Sequence, residues 1–481
     1  MKKVKADIVV VSAGTAGLSA AVAAAEGGAK VIAFEKAGHT GGTALRANQV
    51  CAVESRLQRL KGYSLTREEA FKIFMDFTQW SVNARLVKIF LDRSAETIDW
   101  LEGMGVEFCD LACHGAGMNY TAHFVKERTR RPGLGAAATL MDILAERAKE
   151  IGVQIFLKTP AQKLIKKNGR IVGVVAKDAS GEEIQAEAGA VILATGGFGA
   201  YFRAPFGIPG LEGDGIRMAR EAGAETTNGT MTSPPRMGSH KTAASGMAVM
   251  AAFSQPNLTV NLLGERFVDE LTMVKNPLAS NALTRQKGQT AFTIFDEDTK
   301  KIYVEKGFEF IGSYGIAQFG EPATKATNFD AELKELMKHN PGDIVVADTI
   351  EELAAGIGVN AAALKETVKE YNKACETGRD EAFNTPARYL RPVKKPRFYA
   401  RRRMSFRSGS LEGIRINHRT EVLTKDYEVV PGLYAVGMEA ACNIYRDIYP
   451  NVLPGNAMGW SLGSGRMAAE NALKYIKSIR S

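Results

Sequence analysis

Cysteine, histidine and tryptophan are scarce in this 481-residue sequence, with five, six and three copies. Cys51, Cys109, Cys113, Cys375 and Cys442 show no paired spacing, which excludes a disulfide scaffold and points to a reducing, intracellular setting. No Cys-x-x-Cys-His haem attachment site and no iron–sulfur cysteine run is present, and no metal site is expected. No apolar run approaches the length of a membrane-spanning helix. The N-terminal lysines and the apolar run after them look like a leader, but the run is short and passes straight into a glycine turn. A cytoplasmic protein without a membrane span is expected. Basic patches interleaved with aromatics are also missing, and a net charge of +9 is mild for this length, which argues against nucleic acid. The same positive field suits anionic small molecules. A hydrophobic share of 45% with 24% charged residues leaves room for two or three domains with full cores.

The chain is organised around Ala6–Gly42. Ile8 to Val11 is an uncharged, β-branched run. The turn Ser12-Ala13-Gly14-Thr15-Ala16-Gly17 follows, then a small-residue helix from Leu18 to Ala25, then a second apolar strand, Val31–Phe34, ending on Glu35. This strand–turn–helix–strand order is that of a dinucleotide-binding unit. Gly14 lets the backbone approach a pyrophosphate, Gly17 lets the helix pack on the strand, and the helix N-terminus faces the phosphates. Glu35, 23 residues after Ser12, sits where a carboxylate can accept ribose hydroxyls. Ser12 replaces the usual first glycine, which suggests an altered turn or an added hydroxyl contact to phosphate.

Apolar residues recur at helical spacing from Thr66 to about Gly103, and again from Ala136 to Ile151. Short strands then alternate with turns: Val153–Leu157, Gln162–Ile165, Ile171–Ala176 and Glu183–Ala186, read as an antiparallel meander. The apolar strand Ala190–Leu193 runs into Ala194-Thr195-Gly196-Gly197, a second phosphate- or flavin-facing turn, and a helix opens at Asp214. Residues 233–395 change character, with proline-rich turns and a long helical stretch from Thr349 to Cys375. Strands return at Phe398–Met404 and Ile414–Asn417, and a glycine turn feeds a final helix. The expected fold is α/β: a Rossmann-like domain of parallel sheet plus antiparallel meander, in segments 1–232 and 396–481, with an inserted α+β capping domain, 233–395.

Seven motifs stand in order: Ser12–Gly17 with Glu35, Gly41-Gly42-Thr43, Ala194–Gly197, Gly213-Asp214-Gly215, Gly264-Glu265-Arg266-Phe267, Pro431–Gly437 and Gly455-Asn456-Ala457. In these the chain resembles, over nearly its whole length, the FAD-binding fumarate reductase flavoprotein superfamily, which includes soluble fumarate reductases and 3-ketosteroid dehydrogenases. The resemblance implies non-covalent FAD, held in extended form between the first sheet and the cap. It places Ser12, Ala13, Gly14, Thr15, Ala16 and Gly17 at the pyrophosphate and Glu35 with Lys36 at the adenosine ribose. Gly41, Gly42 and Thr43 would lie against the flavin and Ala161 near the adenine. Thr195, Gly196, Asp214 and Glu439 join the cofactor set. Asn456 and Ala457 start the last helix, whose dipole would stabilise charge on reduced flavin. The family carboxylate expected next to Gly437 is displaced by one position, Met438 preceding Glu439. His39 precedes the double glycine and reads as a loop residue, not a flavin attachment point.

Hydride transfer to a carbon–carbon double bond needs a proton donor on the opposite face. The resemblance gives that part to Arg266, with Asp269 or Glu270 orienting it or relaying protons. The family's dicarboxylate-binding cations are missing at Ser233, Gly409 and Val452, which leaves a buried dicarboxylate under-compensated. Tyr449-Pro450 instead resembles the ketosteroid dehydrogenase placement, so Tyr449, Tyr445 and Tyr120 are candidates for carbonyl recognition. The expected activity is reduction, or introduction, of a double bond beside a carbonyl in a largely apolar substrate of steroid, phenylpropanoid or flavonoid type. The electron donor would be NAD(P)H or a donor protein. The alternatives are a mono- or dicarboxylate reductase using Arg446 and Arg407, and an electron-transfer flavoprotein subunit of a complex.

Overall fold

The computed structural model describes residues 2–112, 119–129, 131, 134–198, 210–227, 236–237, 247–309, 325–339, 342–404, 411–445 and 449–480. Two units divide the chain, the first from Met1–Cys113, Asn119–Met231 and Ser408–Ser481, the second from Thr232–Arg407. Ser233, Arg407, Gly409 and Arg446 lie outside the described residues.

In the first unit β1 (Ile8–Val11), β2 (Val31–Phe34), β3 (Gln154–Phe156), β4 (Ala190–Leu193), β5 (Glu421–Leu423) and β6 (Val429–Ala435) form one sheet in the order β5-β6-β4-β1-β2-β3. Every pairing is parallel except β5 with β6. β1, β2 and β4 are buried at every residue, as continuous apolar strands covered on both faces must be. Helix α1 (Thr15–Glu26) and helix α2 (Asn456–Arg480) cross with their backbones close. A Cβ at Gly465 would lie 2.5 Å from the Ala16 carbonyl oxygen, and the Ser19 hydroxyl donates to the Leu462 carbonyl at 2.6 Å. The small residues of α1 exist for this approach.

Several expected elements fall elsewhere. Gln154–Phe156 joins the parallel sheet through β2, not the meander. The meander is Ala161–Lys167, Arg170–Lys177 and Glu183–Glu187, and its fourth strand is Lys2–Lys5, parallel to Glu183–Glu187. That strand reads KKVK and carries no apolar alternation, but its lysines suit a sheet edge. The helical stretch after Thr66 is three helices, Arg67–Phe77, Ala84–Asp92 and Ser94–Gly103. The stretch after Thr349 is two, Ile350–Ile357 and Ala361–Thr377, parted by Gly358 in the left-handed region.

The second unit is α+β. Thr290–Asp296 pairs antiparallel with Leu258–Asn261 and with Phe398–Met404, and Ile344–Ala347 pairs with Phe398–Met404. Phe398–Met404 was expected to reopen the nucleotide-binding domain, but its register from Thr290↔Met404 to Asp296↔Phe398 places it here. Around Phe295 cluster Phe253, Tyr303, Phe329 and Tyr399, with ring centroids 4.7–6.1 Å from it. Among the described residues no helix is long and apolar enough to cross a membrane.

One buried base in the first unit has a consequence for stability. His123, on the strand Ala122–Val125, is fully buried. Its Nε2 lies 2.6 Å from the Ser55 hydroxyl, and its Nδ1 3.0 Å from the Thr121 carbonyl oxygen. Ser55 already accepts the Gln58 amide as a helix cap, so its own proton points to Nε2 and the ring is neutral. Burial pushes the His123 pKa from 6.5 down to about 4. The unfolded chain therefore binds a proton that the folded one refuses, and stability present above pH 6.5 is lost as pH falls towards 4, by about 3 kcal/mol. Urea unfolding across that window should show a shallower loss for His123→Gln than for the wild type. Parallel profiles would mean that His123 does not carry the loss.

Candidate functional site

The turn after β1 is held by its own carboxylate. Ser12 has φ +93°, a conformation natural to glycine, and its hydroxyl offsets the strain with two hydrogen bonds. It donates to Glu35 Oε2 at 3.0 Å and accepts the Gly14 amide at 3.2 Å. Glu35 also accepts the Ala13 amide on Oε2 at 2.7 Å and the Ala37 amide on Oε1 at 2.8 Å. A carboxylate offers about four acceptor positions, so Oε1 keeps capacity for a ribose hydroxyl. Glu35 thus pins the turn as well as ending the strand, a role the sequence reading missed.

Against this turn lies the second glycine pair. The Gly41 amide donates to the Ala13 carbonyl oxygen at 2.9 Å, and a Cβ at Gly42 would lie 3.3 Å from Gly14 Cα. Helix α1 begins after Gly14 with no side-chain cap and no acidic residue in its first turn, so the amides at Thr15, Ala16 and Gly17 are placed for an external anion. Thr43 is exposed, on the single turn Gly42–Arg46. Ala161 opens its strand two residues beyond Thr159, whose amide donates to the Glu35 carbonyl oxygen at 2.8 Å.

Two expected cofactor ligands meet each other. Lys36 Nζ bonds Asp214 at 2.6 Å and Glu212 at 3.1 Å. Burial works against its charge, but those carboxylates raise its pKa overall. Lys36 therefore ties the tip of β2 to the helix Asp214–Glu221 and is not a free ribose ligand. Thr195 donates its amide and, at 2.6 Å, its hydroxyl to Glu439, and the Gly215 amide donates back to Thr195 Oγ1 at 2.9 Å. Glu439 is fully buried, and burial pushes its pKa up to about 8 against those hydrogen bonds. The one-residue displacement past Met438 leaves Glu439 bonded to the turn at Thr195. Gly196, next along, has φ +80°.

At the head of α2, Asn456 Nδ2 donates to the carbonyl oxygens of Pro450 (2.7 Å) and Leu453 (2.9 Å). The Ala457 amide donates to the Tyr449 hydroxyl oxygen at 3.0 Å. Tyr445 is fully buried between Phe74 and Tyr449, whose ring centroids lie 6.4 and 5.2 Å away. Burial raises its pKa well above the ordinary phenol value. Tyr120 is elsewhere, stacked on Tyr63 at 4.2 Å and exposed.

The second unit holds Arg266 between two carboxylates. Its Nε and Nη2 donate to Glu270 at 2.9 and 2.7 Å, and its Nη1 and Nη2 to Asp380 at 2.9 and 2.8 Å. The rings of Tyr371 and Phe383 each lie 5.0 Å from its guanidinium carbon. Burial opposes its charge, but the two carboxylates raise the pKa further above an already high value. Arg266, Glu270 and Asp380 form a buried ion triad, which favours a structural part for the guanidinium. Asp380 and Thr385, which complete it, carried no local signal.

The residues present fit FAD. Helix α1 is uncapped, and three buried oxygens, Glu439 Oε1, Asn456 Oδ1 and Tyr445 Oη, have no hydrogen-bond partner among the described residues. Fold and site define a dinucleotide-binding flavoprotein oxidoreductase. The chain belongs to the FAD binding domain family, whose model matches residues 7–456. It is similar to the vinyl phenol reductase of Lactiplantibacillus plantarum, 32% identical over 98% of this chain and 96% of that one. It is similar also to the fumarate reductase (cytochrome) of Shewanella frigidimarina, 29% identical over 98% of this chain and 77% of that one. Among solved structures, the 3-ketosteroid-Δ4-(5α)-dehydrogenase of Rhodococcus jostii RHA1 shares the fold, with a TM-score of 0.74 and 23% identity over 98% of this chain and 97% of that one. The chain is an FAD-dependent oxidoreductase acting on CH–CH groups.

Proposed function

We propose that this enzyme reduces a carbon–carbon double bond conjugated to a carbonyl or aryl group in a largely apolar substrate, the phenylpropanoid class first, with non-covalently held FAD. FAD when bound supplies the hydride chemistry of such a reduction. Turn, helix α1 and Glu35 would hold it, and the head of α2 would support charge on it. The observation that carries the reading is Tyr449, whose hydroxyl oxygen accepts the Ala457 amide in the first turn of α2 at 3.0 Å. That contact orients the phenol and places a positive helix end behind its oxygen, which suits a phenol that acts as an acid. Likeness to a vinyl phenol reductase over nearly both full lengths supports the choice of substrate class. NAD(P)H or a donor protein would reduce the flavin.

The test is anaerobic reoxidation of the reduced enzyme by 4-vinylphenol, 4-hydroxycinnamate, a steroid enone and fumarate. A conjugated aryl alkene should reoxidise it fastest, and Tyr449→Phe should slow that step about 10²-fold while FAD stays bound. Fumarate as the best oxidant would overturn the substrate class, and an unchanged rate in Tyr449→Phe would remove the tyrosine.

A further inference from the structure

Parallel strands deliver the chain that follows them to one edge of their sheet, and in the first unit three neighbours do so side by side. β1 lies between β4 and β2, and both pairings are parallel. The turn Ser12–Gly17 therefore leaves the sheet with the exit of β2 on one side and the exit of β4 on the other. Lys36 stands two residues beyond β2. Thr195 stands two residues beyond β4, and its hydroxyl accepts the Gly215 amide at 2.9 Å. That bond fixes the head of the helix Asp214–Glu221 at the exit of β4. Lys36 Nζ reaches Asp214 at 2.6 Å and Glu212 at 3.1 Å. Neighbouring strands are about 4.8 Å apart, so the contact bridges roughly 10 Å and crosses the exit of β1.

Two further observations support a built crossing. Glu35 and Lys36 are adjacent, yet Glu35 bonds the turn itself, whereas Lys36 passes it for the far side. The stem of Lys36 lies against Gly210, where a Cβ would be 3.3 Å from Lys36 Cε and where φ is +98°, a left-handed value that favours glycine. The loop entering the helix thus meets both the stem and the tip of the lysine. One ammonium faces two carboxylates, and the Lys36 and Asp214 side chains are 31% and 27% exposed. A fully exposed single pair would contribute little, but this one is shielded and doubly held.

We propose that the Lys36–Asp214 contact, with Glu212 beside it, is a strap across the dinucleotide groove that FAD must open to enter or to leave. The proposal rests on the FAD reading of this groove and adds a part that a cofactor ligand does not play. A strap that closes equally over the free and the loaded groove has no preference between them, so it leaves affinity unchanged. It raises the barrier in both directions and sets the rate of cofactor exchange.

Stopped-flow flavin fluorescence on the full chain measures both rate constants. Lys36→Met should raise association and dissociation together, each about fivefold, with the dissociation constant unchanged within about twofold. Asp214→Asn should move both in the same direction by less, because Glu212 still holds the lysine. Adding Asp214→Asn to Lys36→Met should change neither constant further, since the strap is already cut. Exchanging the charges, Lys36→Asp with Asp214→Lys, should restore slow exchange. Faster dissociation alone, with affinity lost by the same factor, would make Lys36 a ligand of the cofactor and overturn the strap. Rate constants equal to those of the wild type would overturn it too. A wild type that binds no FAD removes the cofactor reading itself, whereas one that binds FAD with exchange indifferent to Lys36 removes only the strap.

Discussion

Replacing Arg266 by methionine is expected to lower the stability of the second unit by about 3–5 kcal/mol, the cost of leaving buried charge without its partner. Glu270 is fully buried and Asp380 4% exposed, and both lose their fork at once. The two carboxylates are pushed in opposite directions. At Glu270 burial outweighs the guanidinium and raises the pKa; at Asp380 burial also opposes ionisation, but hydrogen bonds from Arg266 and Thr385 lower it strongly. Asp380 is therefore the partner whose charge depends most on Arg266. Adding Asp380→Asn to Arg266→Met should return part of the lost stability, because the uncompensated charge goes with it. Arg266→Lys keeps the charge but not the bidentate pairing and should fall between. Urea unfolding monitored in the second unit checks the series. A variant as stable as the wild type, with flavin reoxidation collapsed, would return Arg266 to proton transfer.

What could be read from the residues alone was local. The β-branched run Ile8–Val11, the glycine turn and the strand ending on Glu35 are adjacent in the chain, and their order already defines the unit they build. Parallel strands buried on both faces leave continuous apolar runs, so β1, β2 and β4 were legible. Partners distant in sequence were not. Arg266 and Asp380 are 114 residues apart, and Thr195 and Glu439 244 apart, separations at which no periodicity connects two residues. The same limit explains Gln154–Phe156 and Phe398–Met404. Each is plainly a strand, but the sheet it joins is decided by long-range pairing that short apolar runs do not encode. Ser12 is an intermediate case: the departure from glycine was visible, while its positive φ and the Glu35 bond that supports it required the fold.

Gly14 and Gly17 should fail in different ways when changed to alanine, and the difference isolates the cofactor. At Gly17 a Cβ would lie 2.0 Å from the Ser12 carbonyl oxygen and 2.9 Å from its carbon, a backbone contact that no rotamer change relieves. Gly17→Ala must therefore separate helix α1 from the turn. It is expected to destabilise the apoprotein by about 1–3 kcal/mol or more and to yield little FAD-loaded enzyme. At Gly14 the backbone has φ −77°, and an added Cβ meets only the Ser12 hydroxyl at 3.6 Å, an ordinary contact. Gly14→Ala should fold with the stability of the wild-type apoprotein. The methyl group it adds projects at the uncapped head of α1, the place assigned to the pyrophosphate, so FAD affinity should fall roughly 10- to 100-fold. Titrating each apoprotein with FAD and measuring its melting temperature separates the cases. Wild-type FAD affinity in Gly14→Ala would mean that the phosphates do not pass over this turn, whatever Gly17→Ala does.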